Sequence, residues 1–364
     1  MSRDTGHSLA AQVDRLGRAQ VARRERPVLR EARITLSHGS GGKASRNLID
    51  GLIAPALGME DALTQVDSVV LPVGTGRIAF TTDTYVVSPL FFPGGDIGSL
   101  AVHGTINDLA MAGARPLALS LGFILEEGLD MEVLRRVLAS IAAASAAAGV
   151  RIQTGDTKVV PRGKADALFI NTSGVGLVAE HLTLSPAGAV PGDRVLLSGS
   201  VGEHGIAVML AREALEIEAD IRSDSAALHG LAAAVLEAAP GTRCLKDPTR
   251  GGVATSLNEI ARAAGAGIAI EEERIRVLPE VRGACEILGL DPLHIANEGK
   301  LLAIVPPEQA EAALAAMRAH PLGRDAAIIG EVLDQPVDMV VLRTEAGGSR
   351  VLDMLVGDPL PRIC

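Results

Sequence analysis

A break in the middle of the chain limits what it can fold into. Ser185-Pro186-Ala187-Gly188, followed by Pro191-Gly192-Asp193, gathers turn formers that neither a helix nor a central strand tolerates. Strand-like and helix-like stretches alternate on both sides of it. Before the break, residues 33–36, 77–87, 116–125, 150–160 and 168–178 read as strands, and 43–57, 97–112 and 131–148 as helices. After it, 194–198, 268–270, 301–305, 327–332 and 337–342 read as strands, and 203–212, 225–238, 252–264 and 307–320 as helices. A length of 364 residues exceeds what one core usually holds, and 48% hydrophobic residues can fill two. The pattern predicts two α/β-type domains in tandem, not a repeat array.

Composition removes several function classes. No run approaches eighteen consecutive apolar residues, so no membrane span is expected, and the N-terminus lacks the apolar core of a secretory signal. A net charge of −10 argues against nucleic acid as a partner, since phosphate contacts need basic surface. With no tryptophan and nothing aromatic after Phe169, base-stacking platforms are nearly missing too. The arginine-rich residues 1–32 read as a disordered basic leader. Three scattered cysteines without CxxC spacing fit a reducing compartment, so a cytoplasmic location is expected.

The chemistry-bearing residues sit at element ends. Gly39-Ser40-Gly41-Gly42-Lys43 opens a helix, and its backbone N–H groups can converge on an anion. It is not a Walker A loop, because Ala44 follows the lysine; a purely structural turn reads equally well. Asp67, Asp83, Asp108 and Asp247 form a dispersed acidic set. An acid inside an apolar strand or helix is costly unless compensated, and Mg²⁺ needs only a few carboxylates plus phosphates. Gly155-Asp156-Thr157-Lys158 and Asn297-Glu298-Gly299-Lys300 each place an acid beside a lysine at a glycine, as either an anion cradle or a solvated turn. The chain ends Pro361-Arg362-Ile363-Cys364. Twelve extended residues before that thiol would carry it roughly 40 Å, making it either a reactive arm or a frayed end.

Taken together these runs resemble the HypE family of hydrogenase maturation proteins. The likeness is carried by 83–98 (Asp83-Thr84-Tyr85 through Gly94-Gly95-Asp96), 38–43, 155–160, 247–252, 297–300 and the terminal Pro-Arg-Ile-Cys, and covers residues 34–364. It implies a two-domain architecture like that of aminoimidazole ribonucleotide synthetase (PurM-like, α/β plus α+β, mixed sheets packed with helices), dimerised through the N-terminal sheets. The domains are then expected at 33–184 for ATP binding and dimerisation and at 185–345 for the α+β unit, with a mobile tail over 346–364.

The implied activity is ATP-dependent dehydration of a thiocarbamate on Cys364 to a thiocyanate, which supplies cyanide to the nickel–iron hydrogenase centre. A HypF-type carbamoyltransferase would load the cysteine, and a HypC–HypD complex would receive the cyano group. Asp67, Asp83, Asp108 and Asp247 match the Mg²⁺-binding aspartates. Gly39, Ser40, Gly41, Gly42, Lys43, Asn107, Gly155, Asp156 and Thr157 fall in the ATP-site motifs. By the same likeness Glu298 is the general base and Lys158 stabilises charge on the carbamoyl oxygen. A superfamily kinase or synthetase acting on thiamine phosphate or selenide, and a non-catalytic thiol carrier, are the rival readings. Cys285 and Cys244 are read as a buried helix thiol and a strand residue.

Overall fold

The computed structural model describes residues 42–48, 50–51, 68–74, 76–212, 220–354 and 362–364. The leader at 1–32, the strand expected at 33–36, and Gly39, Ser40, Gly41 and Asp67 lie outside the described residues. The helix expected from residue 43 is described as α1 (Lys43–Leu48).

The first domain is a five-stranded sheet. Its strands are β1 (Val69–Val73), β2 (Gly76–Tyr85), β5 (Ala114–Glu126), β6 (Arg151–Val160) and β7 (Leu168–Val178), in the order β1-β2-β7-β5-β6. A short hairpin, β3 (Phe91–Phe92) with β4 (Gly95–Asp96), follows β2. Only β5 and β6 run parallel. Side chains alternate across a pleated strand, so each row has one face. Ala79, Thr81 and Tyr85 are buried with Leu168, Ile170 and Thr172, while Phe80, Thr82, Thr84, Asn171 and Leu177 face out. On the inner face lies α2 (Ile97–Met111), buried on almost every side as its apolar and small residues require. Asp96 caps it, accepting the N–H groups of Gly98 and Ser99. Behind α2 packs α3 (Met131–Ala148), capped by Asp130 and ended by Gly149 in the left-handed conformation.

The second domain is a seven-stranded sheet between two helical layers. It comprises β8 (Arg194–Leu197), β9 (Cys244–Lys246), β10 (Gly267–Glu271), β11 (Leu302–Val305), β12 (Ala327–Leu333), β13 (Met339–Arg343) and β14 (Ser349–Val351), ordered β14-β13-β10-β12-β8-β11-β9. Helices α4 (Glu203–Leu210), α5 (His229–Ala238), α6 (Gly252–Ala264), α7 (Pro279–Leu288) and α8 (Ala310–Ala319) complete it. The two faces have separate cores. Val195, Leu197, Leu302 and Ile304 pack with Leu257 and Ile260 of α6, whereas Leu196, Ala303 and Val305 pack with α5 and α8. Burial on both faces explains why β8 and β11 read as unbroken apolar runs.

Two expectations are corrected. The helix predicted over 225–238 begins only at His229, because Ser223 to Leu228 is drawn out to meet the first domain. Residues 346–364 are not wholly a tail: Ser349–Val351 pairs with β13, and Leu352 and Met354 are buried. Asn107, expected at the nucleotide site, also ties the domains together. Its Nδ2 donates to the carbonyls of Ala226 and Glu298 at 3.0 and 3.2 Å, and its Oδ1 accepts the Leu228 N–H at 2.7 Å. Replacing Asn107 with Leu leaves the Leu228 N–H without this acceptor and takes a donor from the Ala226 and Glu298 carbonyls, the latter keeping the Ala226 N–H. A loss of about 1–3 kcal/mol in unfolding free energy is therefore expected in urea melts. A loss below about 0.5 kcal/mol would show that the tie is dispensable.

Candidate active site

The site forms where β2 ends, at the junction of the two domains. β2 brings Asp83 to the inner face of the sheet, and Val86 and Ser88 continue beyond it. The last three residues of the chain dock on this extension. Val86 N–H donates to the Cys364 carbonyl at 3.2 Å and Ser88 N–H to the Arg362 carbonyl at 3.1 Å, the spacing of a short antiparallel pairing. Arg362 takes the left-handed conformation (φ 57°), donating from Nε to the Val86 carbonyl at 2.9 Å and from Nη1 to Asp166 at 2.5 Å. Cys364 is thereby buried, with Arg250 Nε 2.7 Å from its Sγ. Burial outweighs the nearby guanidinium and pushes the thiol up to about 12; Glu298 and Asp83 add to the rise.

Arg250 and Asp247 come from the turn between β9 and α6. Gly251 and Gly252 adopt positive φ there, and a Cβ on Gly252 would lie 2.5 Å from the Leu293 carbonyl oxygen. This fold of the turn seats it under the 297–300 loop. Asn297 locks the two together, donating to the carbonyls of Pro248 and Ile295 and accepting the Gly202 N–H.

The loop itself is organised by Asp224. Its Oδ1 accepts the Glu298 N–H at 3.1 Å, and its Oδ2 accepts the Gly299 N–H at 3.2 Å and Lys300 Nζ at 2.9 Å. A Cβ on Gly299 would fall 1.8 Å from the Asp224 carbonyl oxygen, so no other residue fits. Burial opposes ionisation of Asp224, but Lys300 and His204 overcome it and hold the carboxyl below its usual range. Glu298 is fully enclosed and pushed well above the ordinary carboxylate range. Burial is the largest cause, followed by Asp247, Asp224 and Asp83, with only Arg250 opposing.

The expected residues thus separate into groups. Asp83 and Asp247 lie within electrostatic reach of Glu298, and Asp83 and Glu298 within reach of Cys364. Asp108, on α2, accepts the Thr81 hydroxyl at 2.7 Å and lies close enough to act on Tyr85 along with Asp83 and Glu298. Gly42 is buried at the start of α1, where Lys43 Nζ pairs with Asp353 at 2.6 Å. Gly155, Asp156, Thr157 and Lys158 lie on β6, an exposed edge strand. Asp156 and Lys158 pair with each other at 2.5 Å and share the rows of Gly122 and Ile124 on the outer face, away from Cys364.

Arg250, Asp224, His204, Lys300 and Arg212 contact or brace the site, and sequence reasoning did not assign them. Arg250 and Lys300 stood inside motifs already singled out; nothing local in the sequence marks Asp224, His204 or Arg212.

Among the described residues no three His, Cys, Asp or Glu side chains converge as a ready-made metal cage. The donors still fit Mg²⁺. They are hard carboxylates on separate elements, and the unbalanced negative field that raises Glu298 is what a divalent cation beside phosphates neutralises.

Comparison with known proteins decides the family. Residues 65–178 match the N-terminal domain model of AIR synthase related proteins, and 190–343 match the C-terminal one. The carbamoyl dehydratase HypE of Azotobacter vinelandii is 56% identical over 336 residues, covering 92% of this chain and 98% of the relative. The chain belongs to the HypE carbamoyl dehydratases. A HypE–HypF complex structure aligns with TM-score 0.80 and 47% identity, covering 85% of this chain and 99% of that one. A structure of hydrogenase maturation protein HypE in complex with ATP aligns with TM-score 0.77 and 49% identity, covering 91% and 100%. Thiamine monophosphate kinase from Aquifex aeolicus shares the fold alone, at 20% identity and TM-score 0.63 over 85% and 97% of the two chains.

The burial of the HypE-type cysteine has a pH signature. Its docked pKa of about 12 lies above the ordinary 9.0, so docking is fully favourable below pH 9 and weakens as pH rises toward 12. Alkylation of Cys364 at pH 8 is expected to be about tenfold or more slower than that of a free Pro-Arg-Ile-Cys peptide, the gap closing above about pH 9. Equal rates at pH 8 would mean the thiol is not sheltered.

Proposed function

We propose that this chain dehydrates a thiocarbamate on its own Cys364 to a thiocyanate, consuming ATP. The observation that carries the reading is the placement of the terminal Sγ against Arg250, within electrostatic reach of Glu298 and Asp83. A carbamoyl oxygen is a poor leaving group. Transfer of the γ-phosphoryl group of ATP to it lets it depart as phosphate. The two N–H protons leave, and S–C≡N remains; thiocarbamate plus ATP gives thiocyanate, ADP and phosphate. Glu298 takes a nitrogen proton, and its burial, the largest cause of its raised proton affinity, makes it a stronger base. Mg²⁺ held by Asp83, Asp108 and Asp247, with Asp67, would neutralise charge on the phosphates.

The exposed face of the first sheet supports a homodimer. Leu71, Val73, Phe80 and Leu177 stand exposed toward one end of it, an apolar cluster of the kind that marks an interface. Three strand spacings, about 14 Å, separate β2 from β6. Lys158 therefore serves a site only when supplied by the other copy, and so do Gly155 to Thr157. Partners follow the same likeness: a HypF-type carbamoyltransferase loads Cys364, and a HypC–HypD complex accepts the cyano group. Three free cysteines accord with a reducing cytoplasm.

Mass spectrometry of the C-terminal peptide tests the reaction. Carbamoylation at Cys364, followed by loss of one water only with ATP, is expected; an unmodified peptide points to a small-substrate kinase instead. Glu298→Gln should slow dehydration by about 10²–10⁴-fold without affecting loading. Mixed dimers test the shared site. Lys158→Ala and Glu298→Gln, each inactive alone, should recover about a quarter of wild-type activity when co-assembled, whereas no recovery would place Lys158 in its own protomer's site.

A further inference from the structure

Four hydrogen bonds grip the docked tail by its main chain, beside the two that the Arg362 side chain donates. The Arg362 carbonyl accepts both the Ser88 N–H at 3.1 Å and Arg212 Nη2 at 2.6 Å. The Ile363 carbonyl accepts His204 Nε2 at 2.7 Å, and the Cys364 carbonyl accepts the Val86 N–H. The sulfur, by contrast, meets Arg250.

His204 is built for that single contact. It is fully buried in the first turn of α4, its ring set edge-on to Phe92 with centroids 5.5 Å apart. Ser223 Oγ lies 2.8 Å from Nδ1 and already accepts the Ser225 N–H at 3.1 Å. The Ile363 carbonyl can only accept, so Nε2 carries the imidazole proton and Nδ1 accepts the Ser223 hydroxyl. Arg212, just past the other end of α4, joins the tail to the strand it lies on: Nε donates to the Ser88 carbonyl at 2.6 Å while Nη2 holds Arg362.

We propose that His204 and Arg212 are the docking clamp of the tail, positioning residues that decide whether Cys364 lies against Arg250 or is presented outside. Because they read carbonyls, the clamp holds the free thiol, the carbamoylated and the cyanated tail alike. The cargo's fate is set at Arg250 and Glu298, its delivery at α4. This deepens the reaction proposed above, but the docking itself is measured without ATP or any cargo.

The test is the alkylation rate of Cys364 by iodoacetamide at pH 8, read by peptide mass spectrometry. His204→Leu and Arg212→Met should each raise it about tenfold or more, the value of one lost hydrogen bond to a carbonyl, with Arg212→Lys intermediate. Buried Cys285 is the internal control, and its labelling should not change. In single turnover of the carbamoylated chain, both variants should dehydrate more slowly while loading at the wild-type rate. Unchanged Cys364 labelling overturns the clamp. Parallel acceleration at Cys285 overturns it too, since it reports a loosened fold. Faster Cys364 labelling in variants of a protein whose wild type shows no ATP-dependent dehydration would uphold the clamp and sink only the reaction.

Discussion

The site rests on one buried carboxylate. Asp224 is ionised in an enclosed position where a lone charge is prohibitive, and it survives there because Lys300 and two backbone N–H groups surround it. The arrangement works in both directions. Lys300 and the loop amides stabilise the charge, and the charge fixes the peptide units that carry Glu298 and Gly299. Glu203 shares Lys300 from 3.6 Å and accepts the Ser200 hydroxyl, extending the network into the start of α4. The helix that holds the tail and the loop that holds Glu298 are thus parts of one electrostatic assembly.

That assembly explains why the domains must meet where they do. The first contributes Asp83 and Asn107, the second Asp247, Arg250 and Glu298, and neither set makes a site alone. Asn107 reaches across to the backbone of both Asp224's segment and Glu298. A shift between the domains would therefore disturb the chemistry before it disturbed either core. Specificity for a tethered substrate comes from the same junction, because the strand extension at Val86 to Ser88 is open to pairing by three residues of chain.

Much of this was legible in the sequence, and the reasons differ by residue. The alternation of elements and the break at 185–193 predicted the two domains, since core strands such as β8 and β11 must be apolar on both faces. Asp83, Asp247, Glu298 and Cys364 were marked by local chemistry or motif. The tie that Asn107 makes to backbone groups of the other domain leaves no local mark in the sequence. The outward orientation of Lys158 on an edge strand follows from strand register, which its glycine-turn motif does not carry. His204, Arg212 and Asp224 escaped because their partners are main-chain groups 74 to 159 residues away, and carbonyls leave no mark in a sequence. The edge strand at 349–351 was missed because three exposed residues give no periodicity to read.

The anchoring of Leu352 and Met354 has a kinetic consequence. Ten residues beyond Met354, the sulfur stays within about 35 Å of a fixed point even when undocked. A leash of that length keeps it near its own pocket at an effective concentration in the millimolar range. For any group carried on that sulfur, local concentration is then set by chain length and not by how much is added to solution, while a free nucleotide would still saturate in the ordinary way.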